Sequence, residues 1–224
     1  MSSVRPTVQL TEIARTAVQV ELRAGEALLM TLPFGAVALM LVPLAVGADL
    51  PLLRQLGPGL YWVVVLLFGV LVTLRQSAAL GPAQRDLLRL SGVDPSVRAL
   101  GSVLASTVLL LAVEAALAPV AVILYDPDPA GWPWLLAMVP LVAVGLASLG
   151  ALADGLASGL AERTTLGPLL AVPLALPLLV GATQTSEAVR YGRSPWPWLL
   201  LAVTVDLMVL SAVVLSARTL EEVA

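Results

Sequence analysis

Long apolar runs separated by short polar turns are the feature that most limits what this chain can fold into. Five or six of these runs approach the roughly 20 residues that a helix needs to cross about 30 Å of hydrocarbon. Hydrophobic residues make up 59% of the 224 residues and charged residues only 12%. Because backbone groups in lipid must be satisfied within the chain, the pattern predicts an all-α, polytopic membrane protein.

The limits of the runs predict one transmembrane domain over residues 1–224, with six spans. The spans are expected at about 27–46, 58–74, 99–124, 132–160, 165–183 and 196–217. Residues 7–24 alternate between an apolar and a charged helical face, which predicts an amphipathic helix lying in the membrane interface. Tyr61 and Trp62 are expected to anchor the outer end of the second span, and Pro140 to break or tilt the fourth.

The stretch from Arg75 to Arg98 sets the predicted orientation. It carries four arginines between two apolar runs, and short arginine-rich loops remain in the cytoplasm. Six spans with both termini on that side place nine arginines inside and three outside. The inside set is Arg5, Arg15, Arg23, Arg75, Arg85, Arg89, Arg98, Arg163 and Arg218, and the outside set is Arg54, Arg190 and Arg193.

The same loop has an internal order. Gly81-Pro82 precedes a short leucine-containing helical segment, Ser91-Gly92 ends it, and Asp94-Pro95 caps the next helix. Such a segment is expected either to dock onto a cytoplasmic partner or to rest on anionic lipid. The residues that would couple to a partner are Arg85, Asp86, Leu87, Leu88 and Arg89.

Composition excludes several chemistries. The chain has no cysteine and no histidine, and all 12 basic residues are arginine. A disulfide, a thiolate or imidazole metal site and a P-loop lysine are therefore all absent. We find no catalytic constellation and no nucleic-acid groove, so the chain is not expected to be an enzyme.

Three acidic residues, Glu114, Asp154 and Asp206, fall within predicted spans, where an ionisable group is costly and is a functional candidate by default. Glu114 is the first candidate for lining a path or an interface. The alternative is a protonated or hydrogen-bonded acid that joins helices, which we favour slightly for Asp206.

Two further patterns concern helix packing. Pro168, Pro173 and Pro177 are expected to bend the fifth span, as a moving element or as a static kink. Small residues recur every fourth position on the fourth span, which allows close helix packing within the subunit or at a dimer seam. This small-residue stripe is Ala147, Ala151, Gly155 and Gly159.

Two regions resemble the cytochrome c maturation permease family known as heme exporter protein B. Residues 55–63, QLGPGLYWV, resemble the PG-x-x-W motif with which that family's second span begins. Residues 169–181, LLAVPLALPLLVG, resemble its LPLxxPLLI(F/G) stretch, and Gly155, Leu156, Gly159 and Leu160 stand in similar places before it.

The resemblance implies an ABC-2-type exporter permease of the bacterial inner membrane. It implies a homodimer with two copies of a separate ATPase, partner membrane proteins that handle haem, and residues 75–98 as the coupling element. Haem would be cargo, with no cofactor bound by this chain alone; without histidine, an axial ligand would be Met, Tyr or a partner's residue. One departure is Leu74–Gly81, where the family carries an ERLFxxDxxDG run.

The residues alone are compatible with three other functions. The same architecture could export another amphiphile, such as a lipid or a drug. A non-transporting membrane scaffold would need no ATPase partner. A proton-coupled carrier would need Glu114 and no ATP, although the chain shows no repeat typical of such carriers.

Overall fold

The computed structural model describes residues 26–47, 49–79, 94–157 and 163–222. The predicted interfacial helix at 7–24, the five predicted coupling residues and Gly159 lie outside these ranges.

The described residues are helical and confirm the all-α fold class. A short 3₁₀ turn at Pro129–Gly131 precedes α4. The helices are α1 (Glu26–Val46), α2 (Leu50–Ala79), α3 (Pro95–Tyr125), α4 (Trp132–Ala157), α5 (Arg163–Arg190) and α6 (Trp196–Glu222).

Several of these helices are long and apolar enough to cross a membrane. Within the described residues the qualifying segments are Leu50–Thr73, Pro95–Tyr125, Pro129–Leu156 and Trp196–Ala217, and Thr31–Val46 forms a shorter apolar helix. The architecture is therefore that of a multi-pass membrane protein, while the number of six spans stays a prediction.

Helix starts follow local capping chemistry. The Asp94 carboxylate accepts a hydrogen bond from the Ser96 N–H at 2.8 Å, and Pro95 occupies the first turn of α3, as predicted. Asp49 plays the same part for α2, where its carboxylate accepts from the Leu52 N–H at 3.3 Å. Because of this cap, α2 begins at Leu50 instead of near residue 58, and Pro58 lies inside the helix.

Helix α4 is the centre of the bundle. It packs against α2, α3, α5 and α6, whereas α1 packs against α2 and α3 at the periphery. It is continuous through Pro140, so a break is absent there, and the other expectation, a tilted helix, stays a prediction. The core between these helices includes the fully buried side chains of Leu109, Met138, Leu146, Leu149 and Leu178.

The predicted role of Tyr61 and Trp62 as interfacial anchors is wrong. Both side chains are buried, with Trp62 only 1% exposed, because α2 turns this face toward the bundle. Trp132 and Trp196 begin α4 and α6 and are exposed, as an interfacial anchor requires, and Tyr191 after the end of α5 is exposed as well.

Candidate functional site in the buried helix faces

Glu114 lies near the middle of α3 and is 1% exposed. Neither oxygen of its carboxyl group has a hydrogen-bond partner in the described part of the chain. The Tyr61 hydroxyl of α2 donates to the backbone carbonyl of Glu114 at 3.0 Å, which places the aromatic ring beside this turn of α3. A charged carboxylate in such surroundings has no hydrogen bond to offset its loss of water, so burying it here lowers the stability of the fold.

The α2 side of this contact also holds an unpartnered polar atom. The Trp62 ring packs edge-on against Tyr61, with 5.1 Å between ring centroids. Its Nε1 is buried and has no acceptor within the described residues. The tryptophan of the PG-x-x-W motif is thus a core residue. Sequence reasoning missed this, because hydropathy does not reveal which face of α2 meets α3.

Asp206 lies on α6 and is 5% exposed, where α4, α5 and α6 meet. A Cβ placed on Gly145 of α4 would come within 2.5 Å of Asp206 Oδ1 and would also collide with Leu178 of α5. Neither Asp206 oxygen has a hydrogen-bond partner across the described ranges. The carboxyl group therefore lies close to Gly145 of α4, and among the described residues it makes no hydrogen bond to another helix. A protonated acid that joins the helices stays a prediction.

Glu114 and Asp206 lie at similar depths on two helices, α3 and α6, that pack against each other. Glu114 precedes the end of α3 at Tyr125 by about 16 Å, and Asp206 follows the start of α6 at Trp196 by about 15 Å, from a rise of 1.5 Å per residue. The structure does not join them by a hydrogen bond. Asp154 differs from both: it is half-buried in the last turn of α4 and has an interaction of its own.

The two predicted packing features, the prolines and the small-residue stripe, lie on different helices. Helix α5 is unbroken through Pro168, Pro173 and Pro177. In the small-residue stripe, Ala147 is buried, Ala151 is half-buried, and a Cβ on Gly155 would lie 3.9 Å from Ser216 Oγ of α6. The Gly155 contact joins α4 to α6, and a role of the stripe at a dimer seam stays a prediction.

The tightest approaches of α4 to α2 use other residues. A Cβ on Gly150 would lie 2.5 Å from Thr73 Cβ, and one on Gly69 would lie 2.8 Å from a Leu146 methyl carbon. Neither glycine was predicted as a contact, because each depends on the partner helix.

Polar and aromatic contacts close one end of the bundle. Arg54 of α2 forms an ion pair with Asp126, which ends α3 in the left-handed conformation (φ 45°). Arg190 at the end of α5 donates to the Gln55 side chain at 3.3 Å. The turns before α2, after α3 and after α5 therefore meet at the same end, which the predicted orientation places on the outer side.

Tyr125 ties three helices together at this end. Its hydroxyl donates to the backbone carbonyl of Leu39 in α1 at 2.6 Å, and its ring covers Gly57 of α2, where a Cβ would collide with it. We expect Tyr125→Phe to lower the free energy of unfolding by about 1 kcal/mol, because the buried carbonyl loses its donor. Thermal unfolding in detergent measures this. Tyr191→Phe, at a 58% exposed side chain, is the control and should have no effect.

Comparison with known proteins adds sequence relationships to this geometry. A protein-family model described as "CcmB protein" matches residues 8–221. The chain is also 30% identical over 181 residues to heme exporter protein B of Haemophilus influenzae, which covers 79% of this chain and 80% of the relative.

Proposed function

Because this chain belongs to the CcmB protein family, we propose that it is the permease subunit of an ABC transporter that delivers haem for cytochrome c maturation. The observation that carries this proposal is the family match, which spans nearly the whole chain. The apolar helices fit a subunit that spans the bacterial inner membrane. The relative's name, heme exporter protein B, supports haem as the cargo.

ATP hydrolysis belongs to a separate subunit in this proposal. The chain contains no lysine, so it cannot build a P-loop of its own. Two copies of this chain would pair with two copies of the ATPase, with both termini in the cytoplasm and with membrane partners that handle haem. The arginine bias toward the predicted cytoplasmic side supports that orientation.

We place the coupling to the ATPase in the Arg75–Arg98 loop. Leu87→Asp would put a charge on its predicted apolar helical face and abolish a hydrophobic docking contact. We expect the ATPase to be lost from a mild-detergent pull-down of the tagged Leu87→Asp chain. Leu87→Met keeps an apolar side chain at the same position and should retain the partner. Retention in both variants would contradict the coupling role.

The function itself is tested by deleting the chain from its host and staining membranes for covalently bound haem. We expect c-type cytochromes to disappear and to return when the chain is supplied again. Normal cytochromes together with a co-purifying ATPase would indicate another amphiphilic cargo. If no ATPase co-purifies, a scaffold or a proton-coupled carrier would explain the chain better.

A further inference from the structure

The first turns of α4 and α6 line an open groove of about 360 Å³ at the end of the bundle predicted to face outward. The indole rings of Trp134 and Trp196 meet edge to face across its top, with 5.5 Å between their centroids. Below them the walls include Ala137 and Pro140 from α4 and Val203 from α6. We call this groove the Trp slot.

The shape of the Trp slot suits a flat ligand. Its lining follows one face of each helix for about two turns, so it extends roughly 10 Å into the membrane from the Trp pair. The residues that line it are aromatic, proline or aliphatic, and none has a charged side chain. The two indole planes stand at 82° to each other, so a flat ring that stacks on one indole meets the edge of the other, and Pro140 adds a rigid wall.

One arginine lies close in sequence to the lining of the slot. Arg193 precedes Trp196 by three residues, so its backbone lies within about 11 Å of that tryptophan at most. Among the arginines at this end, Arg54 is paired with Asp126 and Arg190 lies beside Glu187. Arg193 stacks on the exposed Tyr191 ring, 5.3 Å from its centroid, and no carboxylate within the described residues forms an ion pair with it.

We propose that the Trp slot binds a porphyrin that carries carboxylate groups, with the macrocycle against the indole and proline walls and a carboxylate at Arg193. The inference rests on the proposed function, which supplies haem as the cargo class. A lipid tail could fill an apolar groove through van der Waals contacts, but it cannot stack on an indole as a planar aromatic ring does. No histidine exists in the chain and no methionine lines the slot, so binding here uses ring stacking and charge without an axial ligand.

The direct test uses the full-length chain in lipid nanodiscs, with its co-purifying subunits, and zinc protoporphyrin IX as a fluorescent probe. Ala137→Trp fills the slot, and we expect it to raise the Kd of the probe at least about tenfold. Leu136→Trp adds the same indole one residue away, at a 68% exposed position outside the lining, and should leave the Kd within about twofold.

The charge contact has its own measurement. Arg193→Gln should weaken binding of zinc protoporphyrin IX but not of zinc octaethylporphyrin, which has no carboxylates. Equal loss for both probes would contradict the charge contact and leave only stacking.

Other outcomes separate this inference from the proposed function. If wild-type chain binds the probe and Ala137→Trp binds it equally well, the Trp slot is not the site, although haem delivery stands. If no porphyrin binds but c-type cytochromes still depend on the chain, the slot inference also fails alone. Phospholipid that co-purifies with wild type and is lost in Ala137→Trp, without porphyrin binding, would identify the slot as a lipid site and overturn the proposal.

Discussion

Replacing Gly145 by alanine is expected to destabilise the folded chain by up to about 3 kcal/mol, because the methyl group has no space. It would stand 2.5 Å from Asp206 Oδ1 and collide with a methyl group of Leu178. These neighbours belong to two different helices, so relief at one does not relieve the other. The measurement is thermal unfolding of the purified chain in detergent, together with its level in membranes.

Gly155→Ala is the matched control on the same helix. The atom nearest to its added methyl group is Ser216 Oγ at 3.9 Å, an ordinary contact distance. Alanine is favoured over glycine in helices by about 1 kcal/mol, so this variant should be neutral or more stable. Adding Asp206→Ala to Gly145→Ala should restore part of the lost stability. Equal stability of the two glycine variants would contradict the described junction of α4, α5 and α6.

The fold class and several helix limits follow from local features that the sequence displays directly. The Asp94-Pro95 pair opens α3 as predicted, because a cap needs only its own neighbours. The first apolar run, expected at 27–46, is α1 at Glu26–Val46. The second helix was predicted too short, because apolar content marks the segment inside the membrane and not the capped turns that extend beyond it.

Which face of a helix is buried could not be predicted in the same way. Lipid and protein core are both apolar, so buried and lipid-facing positions have similar side chains. Leu199 is buried whereas Leu200 is 60% exposed, and Val64 is buried whereas Val63 is 44% exposed. The Gly145–Asp206 contact and the Trp slot depend on such pairings between distant helices. For the acidic residues, the cost of charge in lipid identified the candidates, but only the structure locates their neighbours.

Replacing Glu114 by methionine is expected to leave the free energy of unfolding unchanged or raised. The rate of haem delivery should fall at least about tenfold, which corresponds to about 1.4 kcal/mol of activation free energy. The carboxyl oxygens have no hydrogen-bond partner among the described residues, so their removal leaves no buried group unpaired. A buried acid that makes no described side-chain hydrogen bond is a candidate for a role in transport, and we expect Glu114 to have such a role. Glu114→Asp should restore part of the activity, because it keeps an acidic group on the same turn.

The readout is haem-stained c-type cytochrome, normalised to the amount of this chain in the membrane, with unfolding measured in parallel. Leu110→Met is the control: it lies one turn earlier on α3, is 1% exposed, and changes shape without adding or removing an acid. It should keep both stability and haem delivery. If Glu114→Met unfolds, the acid is structural after all. If it remains folded and delivers haem at the wild-type level, Glu114 has no part in transport, and a proton-coupled mechanism that depends on it is excluded as well.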